Sequence, residues 1–249
     1  MSDDADRRAW EIVLRHIEGA LVDGRLSPGD HLPPERTLAV DLGVGRSSVR
    51  EAIRVLEVLG LVRTQVGSGP RSGAIIIARP SGGMAQLMRL QVAAQGFAVA
   101  DLVKTRLVLE TAIVRELADD QTVDLGASRE LLQTMDAAAH EPAEFLTLDA
   151  QFHLSLALAS RNVVISSIMA GLRSSIEHYV LAGASALPSW ADTSARLRRE
   201  HRDILEAVSA GDGDLATRLI EQHITGYHLE TDSVRVDDLG RLSSRRPSA

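Results

Sequence analysis

A chain of 249 residues is long enough for two domains, each with its own core, and 45% of its residues are hydrophobic. It contains no cysteine, which excludes disulfides, thiolate metal sites and cysteine nucleophiles, and no apolar run approaches the roughly 18 residues of a membrane-spanning helix. The net charge of −7 is uneven: residues 1–79 hold 11 basic and 11 acidic side chains, whereas residues 80–249 hold 16 and 23.

Within residues 24–79, eight arginines face five acids. A locally basic stretch on a neutral unit, joined to an acidic one, fits a nucleic-acid reader attached to something else. The N-terminus MSDDADRRAW is acidic and lacks the apolar core of a signal peptide, so a soluble cytoplasmic protein is expected.

Residues 5–23 read as a first helix, with Trp10, Val13, Leu14, Ile17, Ala20 and Leu21 on one stripe. RLSPGDHLP is a turn-rich connection. Pro33-Pro34-Glu35 opens a short second helix that buries Leu38, Ala39 and Leu42 and stops at Gly43. Then comes GVGRSSVREAIRVLEVLG. Val49, Ala52, Ile53, Leu56 and Leu59 recur at helical spacing, and Arg46, Ser47, Arg50 and Arg54 share the opposite face. Gly45 stands at the N-cap and Gly60 at the stop. A short helix, a glycine turn and a basic helix make a helix-turn-helix, and guanidiniums in a row suit phosphates and guanine edges.

Residues 61–65 and 74–78 read as two short strands around the glycine-rich loop VGSGPRSG, which carries Arg71. This is a wing, and the first 79 residues together read as a winged helix-turn-helix. LSPGDHLPPERTLAVDLGVGRSSVREAIRVLEVLGLVRTQVGSG resembles the GntR-family DNA-binding domain over almost its full length. The shared pattern is a proline turn, P-x-E-R-x-L-A, and S-R-x-x-V-R-E-A-L-x-x-L-x-x-x-G-L. Gly45 replaces the usual serine cap, at a cost on the order of a few tenths of a kcal/mol. The resemblance implies DNA contacts from Arg36, Arg46, Ser47, Ser48 and Arg50 and from the wing glycines Gly67 and Gly69.

Residues 80–96 begin as a Gly/Ser linker and become a connecting helix, with movement between domains expected near Ser81-Gly82-Gly83. From there on no strand signal appears. Amphipathic helices are expected at 97–119, 121–138, 142–160, 162–183, 190–210 and 212–230, giving an all-helical domain over 97–232 and a polar, unperiodic tail over 233–249. The fold class is therefore mostly α: an N-terminal winged helix-turn-helix and a C-terminal helical bundle.

Asp149 and His153 lie four residues apart on one helix face, among Phe145, Leu146, Phe152 and Leu156. His201 and His223 border the apolar stripes of two later helices. Polar groups in such surroundings are costly unless satisfied, and together the four make a candidate N3O metal site. His178 is a further candidate to line the same cavity.

Residues 97–230 resemble the FadR-type C-terminal effector domain (FCD). In its metal-binding branch an Asp-x-x-x-His and two later histidines hold zinc, nickel or manganese, and Asp149, His153, His201 and His223 match that pattern. The family's R-x-x-L-E matches Arg106 and Glu110, where the arginine pairs an effector carboxylate. The wing and the ALPSWADTSARLRREH stretch are most similar to the actinobacterial L-lactate-responsive repressors of this family. The resemblance implies a homodimer on a palindromic operator, controlled by a small carboxylate, with L-lactate the first candidate and zinc the first metal. Alternatives are a metal-free sensor of another acid or acyl effector, or a metal-dependent hydrolase. Against the hydrolase, no H-E-x-x-H is present and no acid or base beyond Glu200 accompanies the candidate ligands.

Overall fold

The computed structural model describes residues 2–65, 73–77, 80–184 and 187–243. They fall into two compact units, residues 1–86 and 87–249.

In the first unit, α1 (Ser2–Val22), α2 (Glu35–Leu42) and α3 (Arg46–Val58) precede an antiparallel pair, β1 (Val62–Gln65) and β2 (Gly73–Ile76), in the register Val62 to Ile76. The core is built from the stripes read in the sequence: Val13 and Ile17 of α1, Leu38 of α2, Val49 and Ala52 of α3, closed by Val62 and Ile76. Leu59 departs from that reading. It caps the end of α3 and is 41% exposed, because the helix stops one residue before it and Gly60 turns away at φ 73°. Gly43 ends α2 at φ 64°, a conformation that costs glycine little.

The wing sheet has a partner that periodicity did not reveal. Leu32 N–H donates to Ala74 O and Ile76 N–H to Asp30 O, both at 2.8–2.9 Å, so the stretch after the Pro28-Gly29 bend lies along the outer edge of β2. The tip of the wing, including Gly67, Gly69 and Arg71, lies outside the described residues.

α4 (Pro80–Ala93) starts at Pro80, so the Gly/Ser stretch expected as a linker lies inside a helix. Proline is tolerated in the first turn, where its missing N–H has no partner to lose. Gly83 is needed for space: a Cβ there would lie 2.6 Å from the Leu59 backbone.

The second unit is helical among its described residues: α5 (Val99–Asp119), α6 (Gly126–Ala137), α7 (Pro142–Ala159), α8 (Val163–Ala184), α9 (Trp190–Ser209) and α10 (Gly213–Ser243). α5 packs along α10, and α7 lies against α5, α6 and α8. Phe145 and Phe152 of α7, Ile113 of α5, Leu197 and Ile204 of α9 and Ile220 of α10 are fully or almost fully buried in one continuous core. α10 continues through residues 233–243, which the sequence assigned to an unperiodic tail. No helix among the described residues is long and apolar enough to cross a membrane.

Gly83→Ala tests the close approach to Leu59. Backbone must shift to admit the methyl group, so a loss of about 1–3 kcal/mol is expected. An unchanged thermal unfolding curve shows that the approach is not tight.

Candidate functional site

The first unit presents a basic face. Arg36 on α2 and Arg46, Ser47, Arg50 and Arg54 on α3 are exposed, while Val49, Ala52 and Ile53 point into the core. Ser48 does not join them. It is 1% exposed and turned into the unit, beside Val49 on the buried side of the helix. Gly45 makes no side-chain cap bond, as its identity requires. Arg50 Nη2 meets Glu35 Oε2 at 3.2 Å; both side chains are solvent-accessible, and such a pair is weak enough to exchange for another anion.

The second unit gathers four side chains from three helices. Asp149 and His153 project from α7, His201 from α9 and His223 from α10, and one ligand atom from each lies within 4.8 Å of all the others. His153 and His201 are 3% and 0% exposed. Phe152, whose ring centre lies 4.7 Å from that of His201, walls in the imidazole.

The hydrogen bonds fix which nitrogens face inward. His153 Nδ1 lies 2.5 Å from Glu110 Oε2, and His223 Nδ1 lies 2.8 Å from Glu200 Oε2. An ionised carboxylate only accepts, so each Nδ1 carries its proton and each Nε2 is left with a lone pair. The two Nε2 atoms then face each other at 3.1 Å. Two lone pairs at that distance repel unless a proton or a cation lies between them. His201 Nε2 sits 3.0 Å from Asp149 Oδ1 but without the alignment of a hydrogen bond, and neither of its nitrogens has a hydrogen-bond partner. Three inward imidazoles and a carboxylate, with two of the rings oriented by outer carboxylates, form a donor set that fits a divalent transition metal.

The electrostatics point the same way. Burial alone would raise the Asp149 carboxyl, but the surrounding imidazoles outweigh it and hold the group well below the usual carboxylate range. Glu110, also desolvated, is pulled down to about 2 by Arg106 and His153. Burial pushes His201 from 6.5 to about 4, against the opposing pull of Asp149. Asp149 and Glu110 are thus ionised and His201 neutral at pH 7, the protonation states that metal ligation needs.

Beside the cluster is a cavity lined by Arg106, Leu146, Thr147, Asp149, His153 and Arg173, among others. Its space open to the centre of a water-sized sphere is about 40 Å³, room for a few water molecules. Arg106 donates Nε–H to Glu110 Oε1 at 2.7 Å, so its terminal amino groups are not committed to that carboxylate. Glu110 corrects an expectation. Both of its oxygens are engaged, by Arg106 and by His153, and it is 3% exposed, so it orients the His153 ring and is not open to an effector.

Sequence reasoning missed Arg173 and the orienting role of Glu200. Arg173 carries no periodic signal on the largely apolar α8. Glu200 follows the common pattern of an acid four residues after an arginine, Arg196, with which it pairs at 2.6 Å. The side chain of His178 lies outside the described residues.

Two family models match: "Bacterial regulatory proteins, gntR family" over residues 11–71, and the FCD domain over residues 101–226. A protein of Escherichia coli (strain K12) named for regulating the L-lactate dehydrogenase operon is 26% identical over 227 residues, covering 89% of this chain and 86% of that one. The Glc operon transcriptional activator of the same strain is 28% identical, covering 89% and 88%. The HTH-type transcriptional regulator LutR of Bacillus subtilis (strain 168) is 29% identical over 205 residues, 82% of this chain and 92% of that one. Among solved structures, Streptococcus agalactiae GntR matches with a TM-score of 0.61 and 26% identity, covering 87% of this chain and 97% of that one.

With metal stripped by chelator, the helical unit is expected to lose stability as pH falls from about 6.5 toward 4. The unfolded chain takes up a proton at His201 in that window and the folded one does not. His201→Gln should make the slope of melting temperature against pH shallower, and an unchanged slope rules His201 out as its source.

Proposed function

The chain belongs to the gntR family of bacterial regulatory proteins with an FCD effector domain, and on that premise we propose that it is a repressor released by a small carboxylate bound at a metal centre. DNA binding and regulation of transcription come with the family; the effector, the metal and the sign of control are the parts proposed. The observation that carries the reading is the inward-facing pair of imidazole nitrogens, oriented from outside by Glu110 and Glu200, beside an arginine-bearing cavity.

Asp149, His153, His201 and His223 would hold the cation, with zinc the first candidate and nickel or manganese compatible with the same donors. A divalent cation there supplies a Lewis-acidic point that a carboxylate and an adjacent hydroxyl can chelate. Arg106 offers its free amino groups to a carboxylate oxygen. The small cavity favours a short acid over a long acyl chain, and a 2-hydroxy acid such as L-lactate uses both the chelate and the arginine. The name of the relative that refers to the L-lactate dehydrogenase operon agrees with this class.

At the DNA end, Arg46, Ser47 and Arg50 would enter the major groove, with Arg36 and the wing glycines Gly67 and Gly69 against the backbone. Two copies would set two such helices on a palindromic operator. Effector binding controls transcription only by favouring one arrangement of the regulator over another.

Calorimetric titration with L-lactate, D-lactate, glycolate, pyruvate and citrate, with and without chelator, tests the sensing half. L-lactate should bind only the metal-loaded protein, and equal binding after chelation overturns the metal role. His201→Ala should retain operator affinity while losing the effector response; a normal response removes the cluster from sensing. Arg46→Ala or Arg50→Ala should each weaken specific binding by about 1–3 kcal/mol, read by fluorescence anisotropy, and unchanged affinity eliminates the docking face.

A further inference from the structure

Glu110 stands between the two halves of the site. Its Oε1 accepts from Arg106, one turn earlier on α5, at 2.7 Å, and its Oε2 accepts from His153 on α7 at 2.5 Å. Arg106 and His153 both line the cavity. Glu200 plays the corresponding part for His223, but its own cation, Arg196, is held by Glu230 of α10 and does not line that cavity. The two outer carboxylates therefore orient equivalent imidazoles while differing in one respect: only Glu110 shares its charge with a group that faces the ligand.

We propose that Glu110 is a positioning residue that strengthens the reinforcement between effector and metal beyond what their direct contact supplies, whereas Glu200 only orients its imidazole. The proposal rests on the reading of the site as a metal-assisted carboxylate sensor. An incoming carboxylate draws on the Arg106 guanidinium, which then offsets Glu110 less. Glu110 accepts more strongly from His153 Nδ1–H, and Nε2 becomes a better donor. The converse holds as well. With Nε2 donating to a cation, Nδ1–H is more acidic, Glu110 is drawn toward His153, and Arg106 is freer to receive an anion. Thermodynamic linkage requires the two factors to be equal. Because Arg106, Glu110 and His153 are 15%, 3% and 3% exposed as side chains, water does little to damp the exchange.

The test compares the full-length wild type, Glu110→Gln and Glu200→Gln in competition titrations of Zn²⁺ against a chromophoric chelator. Each titration is run with and without saturating L-lactate, or whichever acid binds most tightly in the calorimetric series. Wild type should bind Zn²⁺ at least about fivefold more tightly with the acid present. Both variants should lose about 10- to 100-fold in metal affinity. Glu200→Gln should keep the full enhancement by acid, whereas in Glu110→Gln it should fall severalfold, to what direct contact between acid and cation supplies.

Visible spectra of the Co²⁺-loaded proteins at saturating metal should show the same donor set in all three. A Glu110→Gln protein that retains the full enhancement overturns the proposal, as does a Glu200→Gln protein in which it falls as far. If only the Glu110→Gln comparison fails, the sensing site stands; if the wild type binds metal and acid without enhancement, both readings fall. If it binds neither, both fall. Thermal melts establish that each variant is folded. Should Glu110→Gln not fold, Glu110→Asp keeps the charge with a shorter reach, and there a weakened enhancement is expected and an undiminished one overturns the proposal.

Discussion

Two imidazole nitrogens held face to face at 3.1 Å constrain how the helices of the second unit meet. Left alone, the pair is unfavourable, and relaxing it would need only a small rotation of either ring. The rotation is blocked because each far nitrogen is tied to a carboxylate, Glu110 or Glu200, and because Phe152 and its neighbours leave the third ring, that of His201, no room. Helices α5, α7, α9 and α10 must therefore meet at one depth. The bundle buries four ionisable side chains where an apolar core of the same volume would be more stable by itself. Such an arrangement persists where a bound cation compensates for it.

The outer groups extend this constraint through the fold. Glu200 is gripped by Arg196, Arg196 by Glu230, and Glu230 by Thr193, so the middle of α10 is stitched to the start of α9. Glu110 is gripped by Arg106 within a single helix turn. One branch ends in the scaffold and the other at the cavity. Packing explains why the first branch has structural partners on both sides; the second has a free side only toward the cavity.

Much of this was legible in the chain itself. The stripes of Val13, Leu38 and Val49 specified the first unit, and the four-residue step from Asp149 to His153 placed two candidate ligands on one face. His201 and His223 stood out because polar rings at apolar borders call for partners. Their convergence was not legible, since it depends on how α9 and α10 cross α7, and no local signal encodes a crossing. The roles of Glu110 and Glu200 were hidden for a related reason: an acid one helical turn from an arginine reads as a surface pair, and only burial distinguishes the two cases. The third segment of the wing sheet escaped because Asp30-His31-Leu32 is too short to alternate. Leu59 was misjudged at a helix end, where one residue of boundary error moves a side chain from one face to the other; Ser48, named from the family match, lies on the buried side of α3.

The donor atoms of the cluster are all imidazole nitrogen and carboxylate oxygen, in a chain without cysteine. Nothing in that centre can be converted to a sulfenic acid or lost into a mixed disulfide, so a shift in thiol poise leaves its candidate ligands chemically unchanged. Protons are the natural competitor for these nitrogens. A centre of these donors, holding a cation as proposed, would be blind to thiol poise and would lose the cation in acid.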